Sequence, residues 1–248
     1  MKVVAIIQAR MGSSRLPGKV LRTLGDATVL AHVIGRAMAV PRIDEIVVAT
    51  STLRHDDPVE REARKRGAGV YRGSETDVLS RYYEAAQAFH ADVIVRITSD
   101  CPLLDSGLVE QMVAKFLAAR RDGGKLDYLS NALTRSYPRG LDTEVFTFAA
   151  LEATQLVAKQ AHEREHVTPY IYQHPASFSI EEFVGDNDFS SHRWTLDTPE
   201  DFEFLQAVFD LLGAAAKNAG MHTVLDLLER HPELTRINQQ VRQKALND

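Results

Sequence analysis

The chain has 248 residues, of which 44% are hydrophobic and 25% are charged, with a formal net charge of -5. This composition is typical of a globular protein, and the negative charge argues against a general nucleic-acid-binding surface. The single cysteine, Cys101, excludes an internal disulfide framework and a multi-cysteine zinc site. No stretch resembles a membrane span, and the opening MKVVAII lacks the features of a secretory signal. We therefore expect a cytoplasmic protein that binds neither nucleic acid nor membrane.

The first half of the chain alternates short β-branched runs with longer segments of helical period. Predicted strands cover residues 2–9, 44–50, 68–73, 91–98 and 125–132, and predicted helices cover 28–40, 57–67, 76–90 and 106–121. This βαβ order predicts an α/β fold, with a mainly parallel central sheet and helices on both faces.

The second half extends the same sheet and adds a small β-rich insertion, at about 133–147 and 175–193. Antiparallel or edge strands are predicted at 144–148 and 177–184, and helices at 149–174 and 199–213. The C-terminal part, 222–248, predicts two short helices broken near Pro232. No linker divides the sequence, so we expect one domain over residues 1–248.

A basic loop follows the first predicted strand, in the stretch AIIQARMGSSRLPGKVL at residues 5–21. It holds Arg10, Arg15 and Lys19 but no acid, and Gly12 and Gly18 allow close approach of the backbone to a ligand. In open α/β sheets, ligands bind beyond the carboxyl ends of the strands. The loop therefore suits a polyphosphate, although its spacing is neither a Walker A loop nor a dinucleotide fingerprint. A solvated basic loop is the alternative.

The segment ARMGSSRLPGKVL resembles the nucleotide-binding signature of the sugar-activating cytidylyltransferases, of the KDO and acylneuraminate type. Five more stretches, in order within roughly residues 1–213, are similar to the spore-coat polysaccharide (SpsF-like) group of that superfamily: GSETDVLSRYYEAA (73–86), RITSDCPLLD (96–105), YPRGLDTEVF (137–146), EREHVTPYI (163–171) and RWTLDTPEDFE (193–203).

The resemblance implies a GT-A-like, Rossmann-like nucleotidyltransferase fold. It also implies transfer of CMP from CTP to a sugar with the help of Mg²⁺, for surface polysaccharide biosynthesis, by an enzyme that forms a homodimer. Two positions depart from the family pattern. Ser99 stands where glycine usually precedes the metal aspartate, and Gln8 replaces a proline common in KDO enzymes. We expect Ser99 to affect rate or base preference more than fold.

By the same resemblance, two stretches and one aspartate bind the nucleotide: Ala9, Arg10, Met11, Gly12, Ser13, Arg15, Lys19, Ser74, Thr76, Asp77 and Asp100. The expected catalytic residues among them are Arg10, Arg15, Lys19 and Asp100. The Ser-x-Thr-Asp pattern at 74–77 is also a good N-cap for the helix that follows, and the two roles can coexist. Arg81 is either a nucleotide contact or a solvated residue of that helix.

Two aspartates are candidate metal ligands. Asp100 follows a predicted strand and Asp197 precedes a predicted helix start, so both should project toward the end of the sheet where the basic loop lies. The resemblance assigns Mg²⁺ to both carboxylates, and one or two carboxylates are usual for Mg²⁺ at phosphate sites. A turn residue for Asp100 and a helix cap for Asp197 are the structural alternatives.

The resemblance places the acceptor sugar beside Arg139, Asp142, Glu144 and His166. Arg139 could bind the carboxylate of a 2-keto sugar acid through two parallel hydrogen bonds. The alternative for YPRGLDTEVF is an ordinary turn that leads into a strand.

Other functions stay open at this point. HEREH at 162–166 matches the H-E-x-x-H pattern of zinc hydrolases, although its charge-rich surroundings favour a solvated or pocket-edge helix. A nucleotidyltransferase with another base or acceptor, a related glycosyltransferase and a non-catalytic nucleotide-sugar binding protein are the remaining alternatives.

Overall fold

The computed structural model describes residues 1–243, apart from the side chain of Asp122. In chain order its strands are β1 (Val3–Gln8), β2 (Thr23–Leu24), β3 (Ala27–Thr28), β4 (Glu45–Ser51), β5 (Gly69–Gly73), β6 (Val93–Thr98), β7 (Tyr128–Ser130), β8 (Glu144–Thr147) and β9 (Ile180–Glu182). Its α-helices are α1 (Val29–Met38), α2 (Asp57–Lys65), α3 (Val78–Ala88), α4 (Ser106–Ala119), α5 (Phe148–Val157), α6 (Ala161–His166), α7 (Pro169–Gln173), α8 (Pro199–Leu212) and α9 (Met221–Arg230).

Seven of these strands form one sheet in the order β5-β4-β1-β6-β8-β7-β9, and β2 pairs with β3 in a separate hairpin. The pairs β5-β4, β4-β1, β1-β6 and β7-β9 are parallel. Strand β8 is antiparallel to both of its neighbours, β6 and β7. The mainly parallel α/β sheet that the sequence predicts is confirmed.

Helices cover both faces of this sheet, and each face packs against them in a separate hydrophobic core. Val3, Ala5 and Ile7 of β1 pack in one core with residues of α1, α2, α4, α8 and α9. Val4 and Ile6 pack in the other core with residues of α3, α5 and α7. Successive residues of a strand point to opposite faces of the sheet. The apolar strand β1 is therefore buried on both faces, as is typical of a parallel sheet between two layers of helices.

The segment 149–174, predicted as helical, contains three helices, α5, α6 and α7. A side-chain cap explains the first break, because the carboxylate of Glu163 accepts the backbone N–H groups of Lys159 and Gln160 and so caps the start of α6. The second break lies at Val167, whose φ of 74° does not continue a helix, directly before the Thr168-Pro169 start of α7.

The two insertion segments contribute to the main sheet. Strand β8 lies in the first segment and pairs antiparallel with β7. Strand β9 lies in the second segment and pairs with β7 at the edge of the sheet. They occupy the positions where the sequence predicts antiparallel or edge strands. The segments also meet at an isolated bridge between Arg139 and Arg193. Near the C-terminus, α9 is followed by a 3₁₀ helix at Pro232–Arg236, with the break where proline predicts it. The rest of the predicted C-terminal pair, 244–248, lies outside the described residues.

Parallel strands β1, β4 and β6 end at the same edge of the sheet, at Gln8, Ser51 and Thr98. The loops that follow them therefore lie side by side, which is where α/β folds bind ligands. In the part of the chain that the structure describes, no helix has the length and apolar character needed to cross a bilayer.

Candidate active site

Three charged side chains from distant parts of the chain meet at this edge. The Nζ atom of Lys19 donates hydrogen bonds to Oδ2 of Asp100 at 2.7 Å and to Oδ1 of Asp197 at 2.8 Å. Its third donor bonds the carbonyl oxygen of Leu196 at 2.7 Å. Because an ammonium group has three N–H donors, every donor of Lys19 has an acceptor. The two predicted metal aspartates therefore converge on one cation.

Local backbone structure explains this convergence. Asp100 follows β6 and Asp197 precedes α8, and the N–H of Leu196 donates to the carbonyl of Asp100 at 2.8 Å, which fixes the two segments together. Lys19 begins a short 3₁₀ helix directly after Gly18, whose φ of 69° lies in the left-handed region that favours glycine. The helix-cap alternative for Asp197 is wrong, because Thr198 is the N-cap of α8.

Opposite charges set the ionisation of this cluster. Burial lowers the pKa of the Lys19 ammonium, but Asp100 and Asp197 outweigh it, so the pKa lies above its usual value. Burial raises the pKa of Asp197, but Lys19, Arg15 and Arg193 outweigh it, so that pKa lies below its usual value. The lysine is therefore a cation and Asp197 an anion at neutral pH.

Asp56 is a site residue that the sequence analysis missed. Its fully buried carboxylate accepts the backbone N–H of Met11 at 2.7 Å through Oδ1, and the hydroxyl of Ser51 through Oδ2. Asp56 thus ties the basic loop to the end of β4. Its position in the sequence could have indicated this role, because Asp56 is an acid that follows β4, the strand that pairs with β1.

A cleft of about 950 Å³ opens over the loop and the charged cluster. Most predicted site residues line it: Ala9, Arg10, Gly12, Ser13, Arg15, Lys19, Asp100, Arg139, Asp142, His166 and Asp197. Ser99, Arg81 and Arg96 also line it. Predicted residues that are not among its lining residues are Met11, Ser74, Thr76, Asp77 and Glu144.

Three arginines of the cleft have no carboxylate partner among residues 1–243. Arg10 and Arg139 make no ion pair or side-chain hydrogen bond there, and Arg81 donates only to the carbonyl of Ser74, at 2.6 Å. Arg81 is 1% exposed, so the alternative of a solvated helix residue is wrong. Burial lowers the pKa of both Arg81 and Arg139. Guanidinium groups placed in this way attract anions.

Residues 74–77 cap the start of α3, which is the second of the two roles that the sequence indicates for this stretch. The Ser74 hydroxyl accepts the N–H of Asp77 at 3.0 Å, and Asp77 in turn accepts the N–H of Ser80 at 2.9 Å as the N-cap of α3. The Asp77 carboxylate also pairs with Arg164 of α6, while Thr76 is exposed. Glu75 and Val78 are the members of this region that line the cleft.

Close backbone packing brings the predicted acceptor loop to the cluster. Gly140 has a φ of 107°, and a Cβ there would lie 2.7 Å from the backbone nitrogen of Thr195, so glycine is required. Asp142 pairs with Arg135 at the edge of the cleft, Nη2 to Oδ2 at 3.1 Å. The backbone N–H of Arg139 is fixed by the carbonyl of His192, which leaves its guanidinium on the cleft wall.

Glu144 lies behind the cleft instead of on its surface. Glu144 is 7% exposed, and its carboxylate pairs with Arg96 and accepts hydrogen bonds from the hydroxyl groups of Tyr128 and Thr168, each at 2.5 Å. Arg96 is the member of the pair that lines the cleft, where it also donates to Oε1 of Gln8 at 3.2 Å. Glu144 is therefore not among the residues that line the cleft, whereas its partner Arg96 is.

Comparison with known proteins settles the family. The family model described as cytidylyltransferase matches residues 4–234. The chain belongs to the cytidylyltransferase family. As a member of that family it is a nucleotidyltransferase enzyme.

Three relatives illustrate the family's range. A cytidylyltransferase structure from Leptospira borgpetersenii is 35% identical and has a TM-score of 0.90. The match covers 99% of this chain and 100% of that chain. The spore coat polysaccharide biosynthesis protein SpsF of Bacillus subtilis is 35% identical, and the match covers 93% of this chain and 95% of the SpsF chain. The 3-deoxy-manno-octulosonate cytidylyltransferase 2 of Hydrogenovibrio crunogenus is 34% identical over 50% of each chain.

The HEREH segment of the cytidylyltransferase has no zinc-hydrolase geometry. It lies within the six-residue helix α6, in which Glu163 is 3% exposed and its carboxylate caps the helix, so this carboxylate is not free to act as a base. Over residues 1–243, no group of three or more His, Cys, Asp or Glu side chains could hold a metal ion. Within the cytidylyltransferase, His166 lines the cleft as a pocket-edge residue.

Proposed function

We propose that this cytidylyltransferase transfers CMP from CTP to a hydroxyl group of a sugar, of the 2-keto sugar acid class, and releases pyrophosphate. The observation that carries the proposal is the convergence of Asp100 and Asp197 on the Lys19 ammonium, in a cleft with arginines that have no carboxylate partner. The name of the 3-deoxy-manno-octulosonate cytidylyltransferase supports the acceptor class, and the name of SpsF supports a role in surface polysaccharide biosynthesis.

The triphosphate is bound by the loop after β1. Arg10, Arg15 and Lys19 supply positive charge, and the backbone of Gly12 and Ser13 allows close approach of the phosphate oxygens. Asp56 holds this loop in place through Met11. Positioning and charge neutralisation account for most of the catalysis in phosphate transfer of this kind.

A divalent cation fits the two aspartates. Both carboxylates already bind one cationic group, the Lys19 ammonium, and carboxylate oxygens are the hard ligands that Mg²⁺ prefers. Asp100 and Asp197 would hold the ion. When bound, Mg²⁺ neutralises phosphate charge and polarises the phosphorus–oxygen bonds.

The reaction forms one bond and breaks another. The oxygen of the sugar hydroxyl attacks the α-phosphorus of CTP and gives its proton to water, while the bond from that phosphorus to the bridging oxygen of the β-phosphate breaks. Pyrophosphate leaves, and its charge is neutralised by Arg10, Arg15 and Lys19. The products are a CMP-sugar and pyrophosphate.

The acceptor lies on the wall formed by the loop 139–142 and by α6. Arg139 has a guanidinium without a carboxylate partner in the described chain, so it can form two parallel hydrogen bonds with a sugar carboxylate. Asp142 and His166 line the same cleft and can bind sugar hydroxyl groups. Glu144 contributes to this site by holding Arg96, which lines the cleft, in place.

Pyrophosphate release tests this proposal. Purified enzyme is incubated with Mg²⁺, each of the four nucleoside triphosphates, and a panel of 2-keto sugar acids and neutral sugars. We expect release with CTP and a 2-keto sugar acid, and loss of release in Asp100→Ala. Asp210→Ala, an exposed acid of α8, is the matched control and should keep full activity. Release with another nucleotide, or with neutral sugars alone, would contradict the proposed specificity.

A further inference from the structure

Arg193 connects the site aspartate Asp197 to a second aspartate behind it. Its Nη2 atom donates to Oδ2 of Asp197 at 3.0 Å and to Oδ2 of Asp201 at 2.9 Å, and its Nε atom donates to Oδ1 of Asp201 at 2.8 Å. The planar guanidinium presents its donors in a fixed fork. The two-point contact with Asp201 therefore sets the direction of the contact with Asp197.

Asp201 is a rigid anchor for this arginine. It is fully buried, and it also accepts the backbone N–H groups of Asp197 at 3.0 Å and of Thr198 at 3.1 Å. A buried carboxylate with this many partners has little freedom to rotate. The same carboxylate thus fixes both the backbone and, through Arg193, the side chain of Asp197.

The C-terminal segment 238–243 closes this arrangement from the other side. The Nδ2 atom of Asn238 donates to the carbonyl of Arg193 and to Oδ1 of Asp201, each at 3.0 Å, and Asn238 is 4% exposed. The Oε1 atom of Gln243 accepts Nη1 of Arg193 at 2.7 Å. Both residues lie beyond the family match, which ends at residue 234.

The cations around Asp197 have different surroundings. Lys19 and Arg15 belong to the loop that the proposed function assigns to the triphosphate. In the described part of the chain, Arg193 is not among the residues that line the cleft, and its remaining side-chain contacts are with Asp201 and Gln243 instead of the loop. It is thus the partner of Asp197 that does not also serve the phosphates.

We propose that Arg193 is a positioning residue that orients the carboxylate of Asp197 toward the metal, and that Asn238 and Gln243, which follow the residues that the family model matches, support the site by holding Arg193. This inference rests on the proposed function of Asp197 as a metal ligand. Loss of such supporting contacts typically costs about 10-fold to 100-fold in metal affinity or activity.

Mn²⁺ affinity tests the positioning role, because a purely structural residue would leave it unchanged. The affinity of the CTP-loaded enzyme for Mn²⁺ is measured by electron paramagnetic resonance for wild type, Arg193→Lys and Asn238→Ala. We expect it to fall about 10-fold or more in Arg193→Lys and about 3-fold or more in Asn238→Ala. The KM for Mg²⁺ should rise in parallel, with a smaller change in kcat.

Arg36→Lys is the matched control for burial. Arg36 is a buried arginine of α1 that donates to the carbonyls of Leu104, Ala216 and Ala219, so its replacement should lower the melting temperature and leave Mn²⁺ affinity unchanged. Unchanged affinity in Arg193→Lys and Asn238→Ala, beside loss in Asp197→Asn, would overturn the positioning role and leave the proposed function intact. Undiminished Mn²⁺ binding in Asp197→Asn would overturn both.

Discussion

The ammonium of Lys19 lies 2.8 Å from the carboxylate of Asp197 and 2.7 Å from that of Asp100, so a lysine and a divalent cation compete for the same two carboxylates. Without nucleotide, Mn²⁺ must displace Lys19. We predict that Lys19→Met binds Mn²⁺ about 10-fold or more tightly than wild type in the absence of CTP, because a unit charge at this distance repels a cation strongly. Isothermal titration calorimetry measures the two affinities.

Lys115→Met is the control for this experiment, since Lys115 pairs with Glu181 away from the cleft. Its Mn²⁺ affinity should equal that of wild type. Equal affinities in wild type and Lys19→Met would mean that the ion does not use the carboxylates that Lys19 bridges.

Arg139 gives a prediction for substrate discrimination. Replacing it with methionine should raise the KM for the acceptor about 10-fold to 100-fold, because the loss of a charge-assisted hydrogen bond costs roughly 1.5–3 kcal/mol. The KM for CTP should change less than about 2-fold. Steady-state kinetics with each substrate varied in turn gives both values. Arg61→Met, at an exposed position of α2, controls for loss of positive charge. A rise in the KM for CTP instead would place Arg139 in the nucleotide site.

The sequence predicted that Asp100 and Asp197 lie at the same edge of the sheet as the basic loop, because strand ends and helix starts are local features. Asp100 comes directly after an apolar strand and Asp197 directly before Thr198-Pro199, so their places follow from hydrophobic runs and capping residues. The division into β1, β4 and β6 followed from the same short-range patterns.

Long-range pairings were not predictable in this way. Lys19 and Asp197 are 178 positions apart, and Met11 and Asp56 are 45 apart, so no local pattern indicates that either pair meets. Glu144 shows the same limit. It begins a strand, but whether its carboxylate lines the cleft or lies behind Arg96 depends on the register of β6 with β8.

Asp56 gives a prediction for nucleotide binding at a distance from the phosphates. Asp56→Ala should raise the KM for CTP about 10-fold, because the backbone N–H of Met11 loses its acceptor and the loop loses its anchor. Asp56→Asn should be milder, since its amide oxygen can still accept that N–H. Asp57→Ala, the neighbouring acid that pairs with Arg72, is the control in the same kinetic assay. Wild-type KM values in Asp56→Ala would exclude the anchoring role.

The lowered pKa of Asp197 predicts a pH dependence of stability. Because its pKa is lower in the folded chain than in the unfolded one, its carboxylate stabilises the fold above about pH 4, and this contribution is lost as pH falls through the folded value. In urea unfolding, Asp197→Asn should therefore be less stable than wild type at neutral pH. The difference in the free energy of unfolding should shrink below about pH 4. A difference that is constant with pH would contradict this assignment.

Cys101 provides a probe of packing beside the site. The thiol is 3% exposed, and burial, together with Asp100 and Asp142, raises its pKa well above the usual value. We predict that a thiol reagent such as DTNB reacts at least about 100-fold more slowly with the native enzyme than with the denatured chain at mildly alkaline pH. With one cysteine in the sequence, the absorbance change reports this residue alone. Rapid reaction of the native enzyme would show that the strand end is open.

The central claim is nucleotidyl transfer by attack on the α-phosphorus, and the fate of labelled phosphate tests it most directly. The enzyme is incubated with Mg²⁺, an acceptor sugar acid, and CTP labelled with ³²P at either the α or the γ position, and products are separated chromatographically. We predict that the α label appears in the sugar product and the γ label in pyrophosphate, with both transfers lost in Asp100→Ala. Transfer of the γ label to the sugar, or its release as inorganic phosphate, would contradict the account.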